Sequence, residues 1–69
     1  MLKNINPGAA VWDIRYGWGS VVEVPGVHDT LFVQFKGQAS ARPYTLDGKT
    51  SKSDINPVLF DHELNISSL

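Results

Sequence analysis

Val11-Trp12-Asp13-Ile14-Arg15-Tyr16-Gly17-Trp18-Gly19-Ser20-Val21-Val22 is the stretch on which the fold turns. Two Trp, one Tyr and one Arg crowd beside two glycines, and apolar residues flank them on both sides. The pattern predicts a strand, a tight glycine turn at Tyr16-Gly17-Trp18-Gly19, and a second strand. Glycine belongs at such a turn because it has no Cβ to oppose a bend or bulge. The aromatic rings are then carried on the turn.

Upstream, Asn6-Pro7-Gly8 has turn chemistry, since Pro fixes φ and Gly permits positive φ. Ala9 to Asp13 reads as the first strand and residues 1–7 as an N-terminal arm, of which Met1 to Ile5 is either frayed or a short extra strand. Downstream, the Val-rich run Ser20 to Val24 reads as the second strand, ended by Pro25-Gly26. Thr30 to Phe35 is the clearest strand, with Leu31, Val33 and Phe35 on one face and Phe32, Gln34 and Lys36 on the other. Lys36-Gly37-Gln38 is a hairpin turn. Ala39 to Tyr44 is a fourth strand, which Pro43 places at an edge or a bulge.

Leu46-Asp47-Gly48-Lys49 is a further tight turn. Ser51-Lys52-Ser53-Asp54 has capping-box spacing, but Pro57 follows too soon for a long helix, so one short 3₁₀ turn is expected. Val58-Leu59-Phe60 is a short last strand. Residues 62–69 continue it or form a loose tail. The sum is a single all-β domain spanning 1–69, a small SH3-like or Tudor-like barrel of about five strands. Its expected core is Val11, Trp18, Val21 or Val22, Leu31, Val33, Phe35, Tyr44 and Leu59. Trp18 is expected inward, and Trp12 or Tyr16 outward.

Size and charge narrow the function classes. A 69-residue chain buries only about 60% of the surface its unfolded form exposes. It has no Cys, so neither disulfides nor thiolate metal sites contribute, and an intracellular chain is the simplest reading. The formal net charge of −1 supplies no general cationic field for a phosphate backbone. No apolar run approaches the roughly 20 residues of a membrane helix, and the N-terminus lacks a signal-peptide core. The expectation is a cytoplasmic protein without membrane contact.

Part of the chain resembles known families. Gly8 and Val11, Tyr16-Gly17-Trp18-Gly19, Ser20-Val21-Val22-Glu23-Val24 and Leu31-Phe32-Val33-Gln34-Phe35 are similar to Tudor-like and SH3-like barrels. The nearest parallels are the Tudor-like domain of UvrD-type helicases and the polymerase-interacting domain of CarD-like regulators. Those families often carry a basic or polar residue where this chain has Ala10. The resemblance implies a bent barrel that binds protein, notably bacterial RNA polymerase. The motifs Trp12-Asp13-Ile14-Arg15-Tyr16-Gly17-Trp18-Gly19, Tyr44-Thr45-Leu46-Asp47-Gly48 and Asn56-Pro57-Val58-Leu59-Phe60 together resemble small uncharacterised phage and prophage proteins. That likeness implies a mobile-element context and brings no activity with it.

The candidate binding residues are Trp12, Arg15, Tyr16, Trp18, Arg42 and Tyr44. Their rings and guanidinium groups suit a peptide, a base or a cationic group. The bland alternative is that some rings close the barrel, and that Arg15 stacks on a ring or pairs with Asp13. Asp61-His62-Glu63 does not converge in a strand, and His28-Asp29 has no second His nearby, so no metal is expected. Gly17-Trp18-Gly19 lacks the third glycine and the following helix of a dinucleotide site. No nucleophile elbow or phosphate loop is present. Asn65-Ile66-Ser67 matches a glycosylation acceptor by chance alone.

The sequence therefore suggests a non-catalytic protein-interaction module without cofactor. Its context would be a phage or mobile-element adaptor or inhibitor acting on host nucleic-acid machinery such as RNA polymerase. The alternatives are nucleic-acid binding through Arg15, Arg42, Lys49 and Lys52 with aromatic stacking, and a homodimer sealed by the aromatic or final strand.

Overall fold

The computed structural model describes Leu2 and residues 4–64, so the sequence reading of 65–69 lies outside the described residues. Five strands form one antiparallel sheet: β1 (Ala10–Asp13), β2 (Gly17–Val22), β3 (Leu31–Phe35), β4 (Arg42–Tyr44) and β5 (Leu59–Phe60). Their spatial order is β4-β3-β2-β1-β5. The described residues contain no helix, and the sheet curls into a small half-barrel. The expected turn at 51–54 is a single hydrogen-bonded one, with Asp54 N–H donating to the Ser51 carbonyl at 3.1 Å.

The hairpin at the head of the fold turns earlier than its glycines suggest. The turn is Ile14-Arg15-Tyr16, and Gly17, Trp18 and Gly19 already belong to β2. The Asp13 side chain accepts from the Arg15 backbone N–H at 2.6 Å and so closes the bend itself. Gly17 leaves the turn with φ +81°, a value only glycine adopts freely. From there the register runs unbroken through Asp13↔Gly17, Trp12↔Trp18, Val11↔Gly19 and Ala10↔Ser20. With no bulge at Gly19, the alternation settles the inward valine as Val21, which faces Val33 across the strands.

The buried set is Val11, Val21, Leu31, Val33, Phe35, Tyr44 and Leu59, with Leu2, Ala9 and Val58 packed against it. Each fully buried side chain of this size contributes about 1.5–3 kcal/mol. Trp18, expected in the core, is 49% exposed, whereas Trp12 is 7% exposed. The reason is the register. Trp12 and Trp18 face one another on the sheet side opposite Val11 and Asp13, because side chains alternate along a strand. Trp12 has a cross-strand neighbour on each side, Trp18 of β2 and Phe60 of β5, whereas Trp18 lies just beyond the β2–β3 ladder, which ends at Gly19↔Phe35. Trp18 has no such cover.

Two devices keep the edges of the sheet from lying open. Pro43 is the middle residue of edge strand β4 and has no N–H to offer a further strand. At the other edge, the Gly48 carbonyl accepts from both Val58 and Leu59 N–H, each at 3.0 Å. The segment that leaves β4 therefore returns to cap β5, and the two edges are brought together. Gly48 sits at φ +87° with the Leu59 carbonyl oxygen 2.6 Å from where a Cβ would lie.

Candidate functional site

Asp13 is the point on which the hairpin, β4 and β5 converge. Its residue is fully buried, and its carboxylate accepts from Arg15 backbone N–H, Arg15 Nε at 3.2 Å, Arg15 Nη2 at 3.1 Å and Tyr44 OH at 2.5 Å. A buried carboxylate is tolerated only when its oxygens are so occupied. Burial pushes the Asp13 carboxyl up, but the Arg15 and Tyr44 hydrogen bonds outweigh it and hold it below the ordinary carboxylate value. Burial and the Asp13 contact push the Tyr44 hydroxyl well above its ordinary value. Arg15, bonded to Asp13, is held more firmly cationic. Ile14 N–H donates to the Val58 carbonyl at 3.0 Å, and Asp13 pairs with Leu59.

The three sequence motifs thus meet in one place. Tyr44 of the second motif bonds Asp13 of the first, and Val58-Leu59 of the third bonds both the first motif and Gly48. Asp13 is the joint between these three stretches.

The six candidate residues divide between two sides of the sheet. Arg15 and Tyr44 bond Asp13, and Arg15 also meets Tyr16 and Arg42 at the Tyr16 ring. The Tyr16 ring lies 5.4 Å from Phe35, and Phe35 lies 6.4 Å from Tyr44. Two guanidinium groups lie over Tyr16, Arg42 at 4.4 Å and Arg15 at 4.8 Å from the ring centroid. Trp12 and Trp18 are on the other side. Burial removes Trp12 and Tyr44 from direct reach and makes them supports, while Tyr16 at 38% and Trp18 at 49% remain open. Ile14, in the same turn, is also exposed.

Most of the cations have an intramolecular role. Arg15 pairs with Asp13, and Lys49 with Asp47 at 3.4 Å. Arg42 donates through Nε to Gln38 Oε1 at 2.7 Å. His62 bonds Asp61 at 2.6 Å, and its ring lies 6.2 Å from Phe60. Among the described residues no three His, Cys, Asp or Glu side chains gather as metal ligands, and no helix is long and apolar enough to cross a membrane. Open grooves of about 230 Å³ and 300 Å³ run beside Thr45 and Lys52, and neither is lined by Tyr16, Trp18 or Arg42. Neither a family model, nor a curated protein, nor a solved structure matches the chain.

Sequence reasoning missed Asp13 as the organising acceptor. Its signal was an Asp followed two positions later by Arg at a strand end, the spacing by which an Asx side chain closes a turn. It placed Gly48 in a tight turn, where its φ of +87° fits, but missed the close approach of Leu59, a distant residue in sequence.

Proposed function

We propose that this chain is a small non-catalytic module that binds another protein through the open rings of its first hairpin. The observation that supports this reading is Trp18, a large aromatic left 49% exposed near the start of β2, beside the hairpin turn. Trp and Tyr are the side chains most enriched among the anchors of protein interfaces. The resemblance to Tudor-like and SH3-like barrels and to phage proteins adds a context: an adaptor or inhibitor acting on bacterial nucleic-acid machinery, RNA polymerase first. Occupied edges at Pro43 and Gly48 favour recognition by side chains over addition of a strand.

Direct nucleic-acid binding is the weaker reading. Arg15 and Lys49 are neutralised by their own Asp partners, which leaves no continuous cationic track. The test is a pull-down from a bacterial lysate with wild type and Trp18→Ser, followed by reconstitution with purified RNA polymerase. Recovery of the polymerase by wild type and its loss in the variant support the reading. Equal recovery of all proteins by both removes Trp18 as the contact.

A further inference from the structure

Arg42 is a cation that the fold anchors but leaves without an acid partner among the described residues. Its guanidinium lies 4.4 Å from the centroid of the Tyr16 ring. Nε is held by Gln38 Oε1 at 2.7 Å, and Gln38 is fixed in turn because its carbonyl accepts from Gln34 Nε2 at 2.7 Å. Tyr16 is fixed from beneath by Phe35. Among the described residues no carboxylate stands within ion-pair distance of Arg42, although Arg15 beside the same ring is taken by Asp13.

The consequence is a guanidinium with its plane and one edge anchored. Its terminal Nη groups, on an exposed residue, have no acid partner. Much of the side-chain entropy that normally weakens a surface Arg contact is already lost in the free protein. A planar fork of this type matches a carboxylate with two parallel hydrogen bonds.

Resting on the protein-binding reading above, we infer that Arg42 on its Tyr16 platform receives an Asp or Glu carboxylate from an acidic segment of the partner protein. A carboxylate is favoured over a nucleic-acid phosphate because the site offers one free fork. A phosphate backbone gains affinity from many cations in a row, and the chain's net charge is −1. Tyr16 serves as the positioning residue, and its ring gives the bound acid an apolar wall.

The test uses the full chain and fluorescence anisotropy with two labelled probes, hexaglutamate and a short oligothymidylate, at low salt. The expected result is saturable binding of hexaglutamate, weakened about tenfold in Arg42→Gln and about threefold in Arg42→Lys, which keeps charge but loses the fork. Ile55→Ser, at an 87% exposed position outside both the hairpin and β4, leaves this titration unchanged. Equal binding by wild type and Arg42→Gln overturns the inference, as does binding of oligothymidylate alone. Either outcome leaves the Trp18 pull-down to stand or fall separately. Arg42 is exposed, and matching thermal melts confirm that its variants are folded.

Discussion

The Tyr44 hydroxyl donates to Asp13 Oδ2 at 2.5 Å, across 31 positions of sequence, and joins edge strand β4 to the first hairpin inside the barrel. Tyr44→Phe removes the donor and leaves a buried charge one partner short. Such a loss costs about 1–3 kcal/mol, a large share of the stability of a domain this size. Urea unfolding followed by Trp fluorescence measures it. An unchanged midpoint would mean that water replaces the hydroxyl at no cost.

The same pair sets the response to acid. Asp13 has a folded-state pKa below its unfolded value, so its contribution is fully present above about pH 5. It is lost as pH falls through the folded-state pKa. Tyr44 is shifted up, so its contribution is complete below about pH 10 and is lost as pH rises beyond that. Tyr44→Phe should unfold at higher pH in an acid titration, because Asp13 then loses one of the bonds that depress it. Circular dichroism from pH 6 down to about pH 2 reads the shift. Coincident acid transitions of wild type and variant would disprove the coupling.

The strand pattern was legible because it depends on neighbours in sequence. Leu31, Val33 and Phe35 alternate inward as their spacing requires, and Pro43 lies on an edge strand because it lacks a donor. The tryptophans were not legible in this way. Whether Trp12 or Trp18 is covered depends on which strands flank each one, and β5 arrives beside Trp12 from nearly fifty residues away. The turn was misplaced for a related reason. Gly17 and Gly19 looked like turn residues, but Gly19 is a strand residue that makes room for Phe35, whose ring lies 2.7 Å from where a Cβ would lie. Of the candidate site, Arg15, Tyr16 and Arg42 were legible as residue types. Their meeting over one ring, on the far side of the sheet from Trp18, was not.

Three glycines separate conformational strain from close approach. Gly37 has φ +82° and open space, so Gly37→Ala should cost roughly 1–2 kcal/mol from backbone strain alone. Gly19 has no positive φ but touches Phe35 and the Gln34 carbonyl, so Gly19→Ala displaces a core ring and costs about 1–3 kcal/mol. Gly48 carries both penalties, since its added Cβ would meet the Leu59 carbonyl oxygen in the strand that Gly48's own carbonyl holds, and Gly48→Ala should cost roughly 3 kcal/mol or more. Denaturant midpoints of the three variants give the order. A Gly48→Ala midpoint above that of Gly37→Ala would show that the β4–β5 closure yields without cost.

The two tryptophans should behave as opposites in solution. Trp12→Ala empties a site flanked by Trp18 and Phe60 and should cost about 3–5 kcal/mol, enough to unfold much of the population. Trp18→Ser removes a half-exposed ring and should stay within about 1 kcal/mol of wild type. The milder Trp12→Phe and Trp18→Phe variants leave one indole each for spectroscopy. Trp18→Phe, which retains Trp12, should emit at shorter wavelength and resist acrylamide quenching. Trp12→Phe, which retains Trp18, should emit at longer wavelength and quench readily. Equal quenching would disprove the difference in burial, and quenching of Trp18 that falls as protein concentration rises would show a second copy covering it.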